Sequence, residues 1–265
     1  MEITGVMHVH STHSYDGKET LASLREFFLA RGVRFCLSTE HADEMTQESA
    51  AAFIAQCDAL SDEHFVFIPG FEVPYKNAHI LMFGSRTFLA QRADAATLAL
   101  WSKESALCVL AHPVRNGFSL DAAMEAAIGG VEIWNQQYEG KRVPRPRSVK
   151  LLGALKEKHP SLLATGGLDL HRKDHFGAPL LHMDISALTE ADVIDALRSG
   201  AYHFGSEQVS VSSLGAYARE GTLSTSFQSA FSILLIGAGK RANAFLALFG
   251  LRVPKGLTAI IRSRV

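Results

Sequence analysis

Hydrophobic positions along the chain fall into two alternating kinds of segment. The runs ITGVMHVH, VRFCLSTEH, FVFIPGFEV, ALCVLAHP, GVEIWN, SLLATGGLDLH and AYHFG are short, apolar and β-rich, and read as strands. Between them, Glu19 to Ala30, Gln47 to Leu60, Ser119 to Ala127, Arg147 to Lys158 and Ala191 to Ser199 read as helices, and His79 to Gly84 adds a strand that follows the third as a hairpin or neighbour. This alternation over about the first 205 residues predicts a parallel α/β architecture. From about Gly205 it stops, and the Ser/Gly-rich stretch SEQVSVSSLGAYAREGTLSTS leads into the long apolar segment Phe227 to Leu251. The expected organisation is an α/β domain over 1–205 and a linker plus apolar, basic helix over 206–265.

Composition narrows this picture. A chain of 265 residues, 47% hydrophobic, suits one globular domain or one large barrel with an appendage. A net charge of −1 and a pI near 6.9 give no global basic field for a nucleic-acid polyanion, and no RNA- or DNA-binding motif is present. Charge is uneven, however: from Ser206 onward seven Lys/Arg face two Asp/Glu. Cys36, Cys57 and Cys108 are odd in number and set in apolar surroundings, which predicts reduced core residues. The start MEITGVMHVH lacks the basic and apolar regions of a secretory signal, so the cytoplasm is the expected location.

Lys240 and Arg241 interrupt the Phe227 to Leu251 segment and make it a poor membrane span. Its spacing of Phe227, Phe231, Leu234 and Leu235, then Phe245, Leu246, Leu248 and Phe249, allows an amphipathic helix making oligomer or peripheral membrane contact, with ordinary packing as the plainer reading.

Candidate chemistry gathers at the C-terminal ends of the predicted strands: His8 and His10, His41, Glu72, His112, then Asp169 and His171. In a parallel barrel those ends open on one face. A strand repeats every two residues, so His8 and His10 point the same way, roughly 6 to 7 Å apart, and can converge on one ion. Asp16 lies in the following loop. Each residue alone has a bland reading: a structural histidine for His41, a hydrogen-bonded core histidine for His112. Glu72 is harder to dismiss, because an unpaired carboxylate at an apolar strand end is costly. The ensemble predicts a metal site, and its mixed imidazole and carboxylate donors suit zinc, iron or manganese.

The ordered set HVHSTHSYDG, STEHAD, GFEV, HILMFG, LAHPVR and GGLDLH, spanning about residues 3 to 205, resembles the PHP (polymerase and histidinol phosphatase) superfamily of metal-dependent phosphoesterases. The resemblance implies a distorted, TIM-like (β/α)7 barrel with two or three divalent metal ions. By position it implies that His8, His10, Glu72 and Asp169 hold one ion, that Glu72 bridges to a second held by His112 and His79, and that Asp16, His41 and His171 form the third set. Two positions depart from the family pattern, which often has aspartate where this chain has Val6 and Glu40.

The function expected is hydrolysis of a phosphomonoester, a small phosphorylated metabolite or nucleotide, by a metal-activated hydroxide. Arg115 is expected to reach a phosphate, although a surface salt bridge serves its sequence as well. His13 and His175, beside the ligand motifs, are candidate proton donors to the leaving group. The basic run Lys141 to Lys150 could select an anionic substrate or be a solvated loop. Two competing readings are another metal hydrolase, acting on phosphodiesters, short oligonucleotides or amides, and a catalytically silent, metal-stabilised binding module.

Overall fold

The computed structural model describes residues 1–140 and 142–219, and the helix expected at Phe227 to Leu251 lies outside them. The strands are β1 (Glu2–Val9), β2 (Val33–Ser38), β3 (Glu40–His41), β4 (Val66–Ile68), β5 (Gly70–Tyr75), β6 (Ala78–Phe83), β7 (Leu107–Leu110), β8 (Gly130–Asn135), β9 (Leu163–Gly167), β10 (Leu180–Asp184), β11 (Tyr202–Ser206), β12 (Val209–Ser212) and β13 (Tyr217–Arg219). The helices are α1 (Leu21–Leu29), α2 (Gln47–Ala59), α3 (Ala95–Glu104), α4 (Ala122–Ala127), α5 (Pro146–Lys156) and α6 (Glu190–Ser199).

Helix starts are written locally. Thr20, Thr46, Asp94, Asp121 and Thr189 each accept a bond from a first-turn backbone N–H, a cap worth about 1 kcal/mol. Pro146 opens α5, where its missing N–H costs nothing. Gly200 ends α6 in the left-handed conformation that an L side chain resists.

Strand pairing yields a mixed α/β fold of two sheets. One runs β13-β12-β11-β10-β1-β2-β4 and the other β3-β5-β6-β7-β8-β9. Regular pairing among the described residues does not close the expected ring of seven β/α units into a barrel. The physical reason lies in the connections. β5 turns directly into β6 through Lys76 and Asn77, and β5/β6, β6/β7, β1/β10, β10/β11 and β11/β12 all pair antiparallel, which departs from an all-parallel β/α ring. The parallel pairs β1/β2, β2/β4, β7/β8 and β8/β9 carry the buried apolar runs that such strands require.

The two sheets meet along a seam. Beyond β9, Leu168 N–H donates to Met7 O and Leu170 N–H to His8 O, while His10 N–H returns to Leu170 O. On the other side Thr39 N–H donates to Val9 O, where β2 passes into β3. Seam residues are the ends of β1, β3 and β9, so His8, His10, His41 and Asp169 are delivered to one place. Cys36, Cys57 and Cys108 are buried and unpaired in the core. The compact unit runs from Met1 to Ala218, so β12 and β13 continue past the boundary expected after residue 205. No helix among the described residues is long and apolar enough to cross a membrane.

Candidate metal centre

Glu72, on β5 and 1% exposed, is the hub of the seam. Its Oε1 lies 2.6 Å from His79 Nδ1 and 2.9 Å from His112 Nε2. Its Oε2 lies 3.1 Å from His41 Nδ1, 3.3 Å from His10 Nε2 and 3.5 Å from His8 Nε2. Asp169 faces the same space, with Oδ1 3.5 Å from His8 Nε2 and 3.6 Å from His10 Nε2. Asp16 closes the outer side, reaching His41 Nε2 at 3.4 Å and His171 Nε2 at 3.1 Å. All the histidines and carboxylates expected as ligands thus converge. Ligand atoms fall within 4.8 Å of one another in the groups His8–His10–Glu72, His8–His112–Asp169, Glu72–His79–His112 and His10–His41–His171.

Whether these residues fit cations is answered by their unmet bonding. His8 Nε2, His10 Nε2, His112 Nδ1, Glu72 Oε2 and Asp16 Oδ1 are buried atoms with no hydrogen-bond partner. Such a cluster is expensive in a dry interior unless something coordinates it. Divalent cations suit this donor set, and the residues fit them.

Electrostatics agrees. Burial drives the His10 pKa down to about 3, so its ring is neutral and ready to ligate at physiological pH. Burial would also lower His8, but the carboxylates of Glu132, Asp169 and Glu72 outweigh it and hold His8 well above its ordinary value. Burial would raise Glu72, yet the His8 charge and bonds from His112, His41 and His79 keep it well below the carboxylate range. Asp169 is likewise depressed: burial opposes this, and His8 and His10 prevail.

These shifts carry a pH consequence for the metal-free protein. A histidine whose folded pKa is raised adds stability below its unfolded value of 6.5, and loses it as pH rises through the folded value. Chemical denaturation of metal-free protein is therefore expected to show stability falling on the alkaline side of neutrality. Metal-loaded protein should be flat there, because a cation replaces the His8 proton between Glu72 and Asp169. Equal slopes with and without metal would exclude His8 from the metal centre.

Local backbone explains why the side chains converge. His8 (φ 60°), His112 (φ 24°) and Asp169 (φ 50°) adopt left-handed conformations that cost non-glycine residues about 1 kcal/mol or more each, and such strain collects at functional sites. His8 and His10 do not sit on a regular strand as expected; the register with β2 slips between Met7 and Val9, and the two rings still meet with centroids 5.2 Å apart.

Glu132 was not legible as a site residue. Fully buried on β8, it accepts from His8 Nδ1 at 2.8 Å, His112 N at 2.8 Å and Asn135 Nδ2 at 2.9 Å. Asn135 also donates to Asp169 Oδ2 at 3.3 Å. Residues three apart should face opposite sides of a strand, but the pairing of β8 with β9 slips between Glu132 and Trp134 and turns both inward. Glu40, where the family pattern has aspartate, binds no candidate ligand directly. Its carboxylate accepts from Ser11 Oγ at 2.7 Å and Ser14 Oγ at 2.5 Å, and Ser14 Oγ in turn contacts His10 Nδ1 at 3.3 Å. Val6 is plain core.

The remaining expected residues separate. Arg115 is exposed near the centre, its backbone N–H on His112 O and its guanidinium carbon 5.5 Å from the Tyr138 ring. His175 lies beside His171, ring centroids 6.3 Å apart, with burial lowering its pKa. His13 turns away to α2, where Nε2 bonds Gln56 Oε1 at 2.7 Å and the ring meets Phe53. In the basic run, Arg145 pairs with Glu139 and Arg147 lies over Phe118. His182 and His203 stack with centroids 4.9 Å apart on β10 and β11, next to Glu2 at the far end of β1 from His8.

No protein-family profile matches the chain, and no curated protein matches its sequence. Solved structures share its fold. A two-domain protein from Bacteroides vulgatus, containing a predicted PHP-like metal-dependent phosphoesterase, has a TM-score of 0.57 at 14% identity, over 80% of this chain and 66% of that one. PsfC from Pseudomonas syringae has a TM-score of 0.51 at 14% identity, over 83% of this chain and 91% of that one. The lesion-specific endonuclease PfuEndoQ from Pyrococcus furiosus has a TM-score of 0.54 at 15% identity, over 76% of this chain and 57% of that one. The chain spans just under two thirds of the first relative and little more than half of the third. The fold is thus of the PHP-like kind that the ordered motifs resemble.

Proposed function

We propose that the chain is a metal-dependent phosphoesterase acting on a small phosphomonoester. The observation that carries this reading is the buried Glu72 hub, ringed by imidazoles whose free nitrogens have no partner. Zinc, iron or manganese, as two or three ions, would be held by His8, His10, Asp16, His41, Glu72, His79, His112, Asp169 and His171. Bound there, divalent cations supply Lewis acidity toward phosphoryl oxygens and acidify water.

The chain's own residues do the rest. Glu72 and Asp169 supply negative charge in a dry space, and neutral His10 adds a ligand without a proton to expel. The opening lies where Asp16, His79 and His171 keep 38%, 22% and 19% of their side chains exposed, so substrate enters on that side. Arg115 is placed to bind a phosphate oxygen at the rim. Of the two histidines considered for proton transfer, His175 is the better placed: its Nδ1 faces His171 N–H at 3.4 Å, which leaves Nε2 for the leaving group.

The seam hydrogen bonds support reading the two sheets as halves of an opened, distorted (β/α)7 barrel, and unpaired buried thiols support a reducing, cytoplasmic setting. The apolar segment Phe227 to Leu251, with its basic pair Lys240 and Arg241, is proposed to make oligomer or peripheral membrane contact.

The test is phosphate release from nucleoside 5′-monophosphates, sugar phosphates and an aryl phosphate by protein loaded with manganese, iron or zinc. Turnover is expected with metal and not in Asp169→Ala or His171→Ala. Absence of turnover with every metal, despite bound ions, would reject the reading.

A further inference from the structure

Among the described residues, the large apolar side chains left exposed are Met1, Tyr15, Leu100, Tyr138 and Leu214. Both tyrosines in this set lie on the metal centre. Tyr15, 56% exposed, stacks on His41 with centroids 4.9 Å apart and planes at 18°. Tyr138, 41% exposed, leans on His112 with centroids 5.0 Å apart. His41 and His112 approach opposite oxygens of Glu72, so the two rings flank the hub from different sides.

Exposed aromatic rings on floppy loops would be unremarkable, but these loops are pinned. Ser14, next to Tyr15, is held by Glu40 and by His41 N–H at 2.9 Å. A Cβ on Gly17 would meet Ser11 O at 1.9 Å, so the turn after Tyr15 closes tightly on its start. Tyr138 N–H donates to Asn135 Oδ1 at 3.0 Å, and neighbouring Glu139, buried, accepts from Val114 N–H at 2.8 Å in the loop after His112. Trp134 Nε1 donates to Gly140 O, fixing the other side. Each ring keeps an open surface on a rigid mount, and Arg115 adds a cation beside Tyr138. A rigid, exposed ring costs little entropy to stack upon.

We propose that Tyr15 and Tyr138 are stacking platforms for the organic part of the ester, which makes nucleoside monophosphates the preferred substrate class. This rests on the phosphoesterase reading. Base stacking on an aromatic side chain is worth about 1–3 kcal/mol, about a tenfold effect or more per platform.

The experiment compares kcat/KM for adenosine 5′-monophosphate and glycerol phosphate in the metal-loaded full chain, with Tyr15→Phe, Tyr15→Ala, Tyr138→Phe and Tyr138→Ala. The wild type should prefer the nucleotide. Each alanine variant should lower that preference about tenfold, chiefly through the nucleotide's KM, and each phenylalanine variant should retain it. In parallel, adenosine, which has no ester to cleave, is titrated into zinc-loaded protein while tyrosine ring resonances are followed by NMR, with glycerol as control. Ring-current shifts at Tyr15 and Tyr138 with adenosine alone would support the platforms even if no ester were hydrolysed. Hydrolysis without those shifts, or a preference unchanged in both alanine variants, would overturn them while leaving the phosphoesterase intact.

Discussion

Replacing Glu72 by glutamine is expected to abolish phosphate release, by about a thousandfold or more, while the protein still folds. The reasoning is one of charge and lone pairs. Glu72 offers Oε1 to His79 and His112 and turns Oε2 toward His41, His10 and His8. An amide keeps one acceptor and the side-chain volume, and the surrounding imidazoles can answer its new donor by losing their own protons. Folding therefore survives. Cation binding does not, because the carboxylate that all five of these rings share has become neutral, and loss of a Lewis-acid centre removes several kcal/mol of transition-state stabilisation. Metal content by elemental analysis should fall together with activity, while circular dichroism of the metal-free protein keeps the native signature, at a lowered unfolding midpoint because the charge that faces His8 is gone. A Glu72→Gln protein that retained its ions and its rate would refute the centre as described.

Much of this centre was readable because its residues stand where apolar runs end. His8, His10, His41, Glu72, His112, Asp169 and His171 each interrupt a strand-like sequence, and an ionisable group at such a place needs a reason. What sequence periodicity could not give is the backbone irregularity that aims them. Strict alternation places Glu132 inside an ordinary buried strand and sends Asn135 to the other face; the slipped register of β8 overturns both. The same limit applies to fold class. A β/α rhythm reads as a barrel, and the hairpin expected as one reading of His79 to Gly84 does not by itself reveal that β6/β7 and β1/β10 also pair antiparallel. Helix α3 and strand β10 escaped notice although each carries a signal: Asp94 caps α3 ahead of buried Leu98 and Trp101, and Leu181 and Met183 alternate inward on β10. His13 neighbours the ligand motif in sequence alone, and its ring lies instead against α2, where it bonds Gln56.

The second large effect is expected at Glu132, which is outside the expected ligand set and acts through the ligands it holds. Its two oxygens receive His8 Nδ1, His112 N–H and Asn135 Nδ2, all buried. By holding the proton on His8 Nδ1 it leaves Nε2 facing Glu72 and Asp169, and by holding His112 N–H it steadies a left-handed residue. A glutamine here has one acceptor for these donors, so at least one of them faces an NH2 group in a dry interior. Glu132→Gln should then lose about 2–4 kcal/mol of folding stability, since a buried unsatisfied donor costs about 1–3 kcal/mol, and should bind metal about 10–100-fold more weakly. Gly167→Ala approaches the same contact from β9: its Cβ would stand 2.2 Å from Glu132 Oε1 and 2.7 Å from His8 Cβ, so the carboxylate or the ring must move. Both variants are measured by urea denaturation of metal-free protein and by competition with a zinc chelator. A merely structural Glu132 would lower stability without changing zinc affinity in the protein that remains folded. Weakened affinity in both variants, in proportion to displacement of His8, assigns Glu132 the task of orienting that ligand.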